Sequence, residues 1–248
     1  MGMFIPEDKS YDETRRQVGF NRYKQLMGRH WRDWLKLNAL TILGALPLAF
    51  GIALAISSSS ILVLIPCSLI GGMVFGPFLS GLYDGILRAL RDDPMPWWEN
   101  YKKSWRQNFR CSLLPGALLG LTMGIFSFLG MLFWWADQSP SWGTILMALL
   151  SLLLLTIVFQ LYWVQLVLFQ QKASIRIRNA VLFCVQNYRQ VMGAGLLQMA
   201  YWGIYLLFAP WTLLLLPIVG VWYIHFLSLH LLYPRLDEAF QIEEQFNQ

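Results

Sequence analysis

Few side chains in this sequence could do chemistry, and the acid Asp84 is the first to consider. It is the one acidic residue embedded near a long apolar run, residues 61–86. An acid in an apolar span is by default a candidate for a proton or ion site. Arg88 follows four residues later, which favours an ion pair on one face of a helix. We favour a structural Asp84–Arg88 pair, with a proton or ion site as the alternative.

The histidines and cysteines form no metal or redox motif. His225 and His230 are five residues apart, so on a helix they point about 140° away from each other. Cys67, Cys111 and Cys184 match no metal spacing. The sequence also lacks the HExxH, GxSxG and phosphate-loop motifs. We therefore predict no catalytic residue, no metal site and no cofactor, and expect that the protein is not an enzyme.

Glycine spacing predicts close helix packing. Gly116, Gly120 and Gly124 recur every fourth residue, which gives a helix a smooth strip for a neighbouring backbone. The preceding apolar run contains Gly72, Gly76, Gly81 and Gly85. We favour intramolecular packing, with a dimer face or a docking face for a partner as the alternative. Interhelical hydrogen bonds are the favoured role of Gln160, Gln165 and Gln198, rather than lining a polar interior.

The dipeptide Gly76-Pro77 lies inside the apolar run 61–86. Proline removes a helical hydrogen bond and bends the helix. A kink there would place irregular backbone at membrane depth, which is a feature of some transport sites. A packed bend is the commoner outcome, so both interpretations stay open.

Composition places most of the chain in lipid. Hydrophobic residues make up 56% of the sequence and charged residues 13%, whereas soluble domains have roughly 25% charged residues. About 20 apolar residues cross the hydrocarbon core. An all-α polytopic membrane protein is therefore predicted, with six spans at about 35–56, 61–86, 112–135, 143–169, 191–209 and 211–233.

All 19 Lys and Arg residues fall on one side of these spans. Eight, from Lys9 to Lys36, precede the first span, six separate the second and third, four separate the fourth and fifth, and Arg235 follows the sixth. Because basic residues stay on the cytoplasmic side, both termini are predicted to be cytoplasmic. The outer connections are then the turns at 57–60, 137–142 and Pro210.

The connection before the third span predicts an amphipathic helix in the membrane surface. Its aromatic face is Trp97, Tyr101, Trp105 and Phe109, and its basic face is Lys102, Lys103, Arg106 and Arg110. Related patterns precede the first and fifth spans. We expect contacts with anionic lipid headgroups and none with nucleic acid.

These recurring patterns suggest three parallel repeat units, each with a surface helix and a two-helix hairpin. The letters QNFR at 107–110 reappear as QNYR at 186–189. The alternative is that any interfacial helix favours an aromatic residue next to arginine. The predicted units are 18–94, 95–173 and 174–236, followed by a polar tail at 237–248.

The stretch from Gly76 to Leu113 combines several of these features. In order, they are Gly76-Pro77, Ser80-Gly81-Leu82-Tyr83, Arg88 with Arg91, Asp93-Pro94, and the aromatic-rich segment from Trp97 to Phe109. This combination resembles the YesL-like family of bacterial membrane proteins of unknown function. The resemblance implies a protein of the bacterial cytoplasmic membrane, with an accessory role beside carbohydrate uptake and sensing systems, and it implies no particular chemistry.

Two functional hypotheses follow. The first is a non-enzymatic integral membrane accessory or scaffold protein, associated with carbohydrate uptake or its regulation, with a membrane protein partner or a homodimer. The second is a small transporter or channel with a site near Gly76, Pro77, Asp84 and Arg88. A continuous polar cavity between the spans would favour transport, and a sealed bundle with an exposed apolar face would favour scaffolding.

Overall fold

The chain folds into helices, without strands in the residues that the computed structural model describes, which are 16–93, 96–135 and 140–246. The predicted all-α class is confirmed. The helices are α1 (Gly19–Ser57), α2 (Ile61–Leu90), α3 (Trp97–Trp135), α4 (Trp142–Leu168), α5 (Ala173–Gln186), α6 (Tyr188–Leu207), α7 (Leu216–Val219), α8 (Val221–Phe240) and α9 (Ile242–Phe246). A 3-10 helix, Trp211–Leu215, precedes α7.

Among the described residues, four helices are long and apolar enough to cross a membrane, namely α1, α2, α3 and α4. A fifth span results if α6 and the segment Trp211–Val219 are counted together, although the two parts meet at an angle of 119°. Several long apolar helices indicate a membrane-embedded protein. The predicted number of six spans is not confirmed.

The predicted sixth span, 211–233, is divided into three pieces. The 3-10 helix and the single turn of α7 come first, and α8 begins only after Gly220. Pro210 and Pro217 interrupt the apolar run, because proline cannot continue a preceding helix without losing a hydrogen bond. Counting apolar residues along the sequence does not detect these breaks.

The segment 97–110 is the first part of α3 and not a separate surface helix. α1 and α3 have 39 residues each, which corresponds to roughly 58 Å, about twice the thickness of the hydrocarbon core. No glycine or proline lies between Trp97 and Leu114, so nothing local stops the helix before the apolar span. The prediction of a distinct helix lying in the membrane surface is therefore not confirmed for this segment. By contrast, α5 is a separate helix that ends at Gln186, and Asn187 separates it from α6.

α2 and α3 approach each other to backbone contact along their glycines. A Cβ atom added to Gly72 would lie 2.3 Å from the carbonyl oxygen of Gly116, and one added to Gly120 would lie 2.6 Å from Cα of Gly72. One added to Gly124 would lie 2.1 Å from Oγ of Ser68. Only glycine permits such close approach. The other two predicted packing glycines in α2 have different neighbours, Tyr101 at Gly81 and Leu37 at Gly85.

A second group of helices, α4, α6 and α8, packs against α2 and α1. α8 meets α1 at Trp34, whose ring centre lies 5.3 Å from that of Trp222 and 4.3 Å from that of Phe226. α4 meets α2 where Trp163 packs beside Tyr83. These large side chains are almost fully buried. α2 is therefore the central helix, with α1, α3, α4 and α8 around it.

The structure does not confirm three equivalent repeat units. The units 18–94 and 95–173 each supply two long helices, whereas 174–236 supplies α5, α6, the divided segment and most of α8. The predicted tail at 237–248 forms the end of α8 and then α9, and its last two residues lie outside the described ranges.

Candidate functional site in the helix interior

Asp84 and Arg88 form the predicted ion pair near the end of α2. Asp84 Oδ2 lies 2.9 Å from Arg88 Nε, and Asp84 is only 5% exposed. Nη1 of the same guanidinium binds a second carboxylate, that of Asp93, at 2.5 Å. Hydrogen bonds between charged groups are shorter and stronger than neutral ones. Arg88 therefore connects the last turns of α2 to Asp93, which follows the helix.

Arg22 of α1 binds the last residue of α2 and the chain that follows it. Arg22 is buried and donates to the carbonyl oxygen of Leu90 at 3.1 Å and to Asp92 at 2.7 Å. Leu90 is the last residue of α2, so its carbonyl has no partner in the helix and Arg22 supplies one. Asp92 has a φ of 61°, the left-handed conformation that commonly ends helices. Sequence reasoning missed this contact because Arg22 and Asp92 are 70 residues apart.

The last helix, α9, joins this cluster through Glu243. Its carboxylate accepts hydrogen bonds from Arg16 and from the hydroxyl of Tyr233, the latter at 3.1 Å. The bond from the Arg16 guanidinium lowers the pKa of Glu243 below its ordinary value. Asp237 Oδ1 accepts from the backbone N–H of Glu243 at 2.8 Å, as a capping carboxylate does at the start of a helix. The start of α1, the end of α2 and the C-terminal helix therefore meet on one side of the protein.

His225 of α8 contacts Tyr83 of α2. Its Nδ1 lies 3.1 Å from the hydroxyl oxygen of Tyr83, which is 1% exposed. His230 lies elsewhere, with Nε2 3.3 Å from the carbonyl oxygen of Gly19 and its ring near Tyr23. In the part of the chain that the structure describes, no group of three or more His, Cys, Asp or Glu residues could hold a metal ion.

Three polar side chains meet where α4, α6 and α8 pack together. Gln198 Nε2 donates to Gln160 Oε1 at 2.6 Å and to Ser228 Oγ at 3.0 Å. Gln160 Nε2 donates to the same serine oxygen at 2.5 Å. All three residues are buried, so each amide finds its partner inside the protein. The interhelical bonding predicted for Gln160 and Gln198 is confirmed.

Irregular backbone lies inside the bundle at Gly220, between α7 and α8. Asn38 of α1 bridges the break. Its Nδ2 donates to the carbonyl oxygens of Leu216 at 2.9 Å and Pro217 at 3.0 Å. Its Oδ1 accepts from the backbone N–H of Trp222 at 3.3 Å. One buried asparagine thus supplies partners on both sides of the break.

Two tyrosines of α6 complete the closure of this break. Tyr201 donates to the carbonyl oxygens of Val219 and Gly220, the second at 3.0 Å. Tyr205 donates to Val219 at 3.1 Å. Unwound carbonyls in a broken helix can coordinate ions, but these carbonyls already accept hydrogen bonds from side chains. The geometry at Gly220 is that of a closed structural break.

α2 passes through Gly76 and Pro77 without interruption, as one helix from Ile61 to Leu90. Both residues are buried, and a Cβ atom at Gly76 would lie 2.4 Å from the carbonyl oxygen of Ser112. The hypothesis of irregular backbone at Pro77 is therefore not supported. Close packing on α3 holds this part of α2, and the irregular backbone occurs at Gly220 instead.

The aromatic face of the first part of α3 packs mainly on the protein. Tyr101 is 6% exposed, and its ring lies where a side chain on Gly81 would be. Trp97 and Trp105 are half-buried, and only Phe109 is exposed, at 38%. Tyr101 therefore does not face lipid, contrary to expectation. The four predicted basic residues, Lys102, Lys103, Arg106 and Arg110, are all exposed.

Two hollows lie among the described residues. The first, about 40 Å³, lies between α1, α2 and α3 beside Arg88 and Tyr101, and has room for a few water molecules. The second, about 380 Å³, is an open groove between α1 and the chain around Gly220, with a mostly apolar lining. Neither hollow is a polar passage along the helices.

No family model, no curated protein and no solved structure matches this sequence. The polar side chains of the candidate site bind one another and the backbone at helix contacts, and they hold the interior of the helix bundle together.

Proposed function

We propose that this protein is a non-enzymatic accessory or scaffold component of the bacterial cytoplasmic membrane, associated with carbohydrate uptake or its regulation. The observation that carries the proposal is the closed interior. Gln160 and Gln198 are bonded to neighbouring helices, Asp84 is paired with Arg88 within α2, and the carbonyls at the Gly220 break accept hydrogen bonds from side chains. The link to carbohydrate systems rests on the resemblance to the YesL-like family.

The exposed surface of α4 supports a scaffold role. Its first turns are apolar and exposed, with Trp142 86%, Leu146 60% and Met147 64% exposed. Lipid can cover these side chains, but a helix of another membrane protein or of a second copy can cover them equally well. We propose that the beginning of α4 is the surface on which such a partner packs.

We also propose that both termini lie in the cytoplasm. Contacts between Arg16 and Glu243 and between Phe183 and Phe240 support it, because they bring the N-terminal part of α1, α5 and the end of α8 to one side. Most described basic residues lie on that same side, as the positive-inside rule requires. Part of the predicted outer turn 137–142 and the basic residues before Arg16 lie outside the described ranges.

The exposed cations of α3 are proposed to contact anionic headgroups. Lys102, Lys103 and Arg106 face away from α2, so they can reach phosphates while the aromatic face stays packed on the protein. Each cation near an anionic surface contributes roughly 1 kcal/mol. Their contribution should fall as salt screens the charges.

Cross-linking in native membranes, followed by purification in mild detergent, tests the scaffold proposal. We expect the full chain to recover a membrane protein partner or a second copy, and Trp142→Ala with Met147→Ala to reduce recovery at least several-fold. Leu62→Ala is the matched control, because Leu62 is 81% exposed on a different helix. Equal recovery with all variants would contradict a docking role for α4.

A small transporter is the second candidate, favoured by unpaired polar atoms on α4. In the described part of the chain, Trp163 Nε1 and Gln165 Oε1 are buried without a hydrogen-bond partner, and each such group is costly in the interior. Flux of sugars or ions into liposomes containing only this protein tests this candidate. Specific flux that Gln165→Leu abolishes, with normal folding, would establish transport and overturn the scaffold proposal.

A further inference from the structure

An open apolar groove separates α1 from the chain on either side of Gly220. Its volume of about 380 Å³ is within the range of ligand-binding pockets. Its walls come from two elements: Met27, Trp31 and Leu35 of α1 on one side, and Ile218, Trp222 and Tyr223 on the other. Trp31 is 43% and Ile218 57% exposed, so the groove is open to the surroundings of the protein.

The rim of this groove is basic. The Arg32 guanidinium lies 5.6 Å from the ring centre of Trp31, which lines the groove. Lys24 is exposed nearer the start of α1, with Nζ 4.9 Å from the ring centre of Phe20. Within the residues that the structure describes, Arg32 and Lys24 contact aromatic rings and form no ion pair. Both cations are therefore available to a phosphate.

The groove also carries aromatic side chains with polar tips. Tyr223 lines it and has its hydroxyl oxygen 3.3 Å from that of Tyr23. Tyrosine and tryptophan favour the depth at which acyl chains meet headgroups. An apolar trough, amphipathic aromatic residues and a basic rim together match one kind of molecule, an amphiphile with an anionic head.

We infer that this groove binds one anionic phospholipid. An acyl chain lies along Met27, Leu35 and Ile218, and the phosphate meets Arg32 beside Trp31. A helix of a partner protein would fit the trough but would leave Arg32 without a counter-ion, so the lipid fits better. The inference requires only that the chain lies in a membrane, and it holds whether the protein is a scaffold or a transporter.

Native mass spectrometry of the full chain tests this inference, after exchange into detergent with phosphatidylglycerol or phosphatidylcholine. We expect one phosphatidylglycerol to remain bound per chain, with at least tenfold preference over phosphatidylcholine. Leu35→Trp should fill the groove and abolish retention. Arg32→Gln should remove the preference, leaving weak binding of both lipids.

Two matched variants separate the groove from general lipid contact. Leu46→Trp adds the same bulk to an exposed position of α1 outside the groove, and Arg235→Gln removes an exposed charge near the end of α8. Both should retain phosphatidylglycerol like the unaltered chain. Equal retention by all variants, equal retention of the two lipids, or a co-purifying protein in place of lipid would each overturn the inference.

Discussion

Among single residues, Asp84 is part of a buried ion-pair network at the end of α2. Arg88 binds Asp84 and Asp93 at once, and the side chain of Asp84 is the more buried of the two acids, at 7% against 27% exposed. Removing one member of a buried ion pair leaves the other charge uncompensated, which costs more than the pair itself contributes. The stability of variants at Asp84 therefore reports directly on whether its role is structural.

Replacing Asp84 with asparagine should destabilise the protein. Arg88 keeps its bond to Asp93 but loses its most buried partner, so the cost should approach 3 kcal/mol, the lower end for breaking a buried pair. Thermal unfolding in detergent measures it. Asp33→Asn breaks the more exposed pair with Lys36 and should cost less than about 1 kcal/mol. Unchanged stability of Asp84→Asn together with lost partner recovery would instead show a functional acid.

The glutamine pair between α4 and α6 permits a second residue-level test. Gln198→Leu keeps the size of the side chain but removes its bonds to Gln160 and Ser228, while the bond between those two remains. We expect a loss of about 1 kcal/mol, typical of interhelical hydrogen bonds in membranes, in unfolding by increasing denaturing detergent. Gln107→Leu on the exposed surface of α3 is the control and should have little effect. A Gln198→Leu chain as stable as the control would contradict this role.

At the scale of helices, the α2–α3 contact and the closed break at Gly220 depend on different residue types. The α2–α3 contact depends on glycine, because Gly72, Gly116 and Gly120 have no side chain and let the two backbones touch. The junction of α7 and α8 depends on polar side chains, because Asn38 and Tyr201 donate hydrogen bonds to carbonyl groups that have no partner within a helix. Backbone groups away from water must be bonded within the protein, so both devices are needed in an apolar bundle.

Leucine at Gly116 should separate α2 from α3. The first added atom would lie 2.5 Å from the carbonyl oxygen of Gly72, so one helix must move away and overpacking costs at least 1–3 kcal/mol. Gly130→Leu is the matched control, because nothing lies within 4 Å of its added Cβ. Yield and thermal stability after size-exclusion chromatography should fall only for Gly116→Leu. Equal yield and stability of the two variants would show that the close contact at the glycines does not hold α2 and α3 together.

Leucine at Asn38 should open the break at Gly220. The carbonyls of Leu216 and Pro217 and the N–H of Trp222 would lose their partner, and each unsatisfied buried group costs about 1–3 kcal/mol. Hydrogen exchange should accelerate at residues 216–224 and stay unchanged at the α2–α3 contact. Thr41→Val is the control, because Thr41 donates only within α1. Unchanged exchange at 216–224 would contradict the bridging role.

For the whole molecule, the sequence predicted the parts that depend on local pattern. Helical class, the apolar spans α1 to α4 and the pair Asp84–Arg88 follow from spacing and composition within one segment. The surroundings of His225 and the contact of Arg22 with Asp92 join residues 142 and 70 positions apart, and no local pattern encodes such pairings. The six-span prediction is not confirmed at residues 211–233, because a count of apolar residues does not detect a break that side chains of α1 and α6 stabilise.

The sidedness of the whole molecule can be measured by cysteine labelling. In a background without Cys67, Cys111 and Cys184, Ser58→Cys and Ser141→Cys should react with a membrane-impermeant reagent in intact cells. Both serines are at the ends of helices opposite to the cluster of Arg22 and Glu243.

Asn21→Cys and Gln241→Cys are the matched inner positions, since both residues are exposed beside that cluster. They should react only after the cells are opened, because the basic residues keep their side of the protein in the cytoplasm. The contact of Arg16 with Glu243 requires these two positions to behave alike, whatever the number of spans between them. Labelling of Asn21→Cys in intact cells would reverse the proposed orientation, and opposite behaviour of the two inner positions would contradict the contact that joins the ends of the chain.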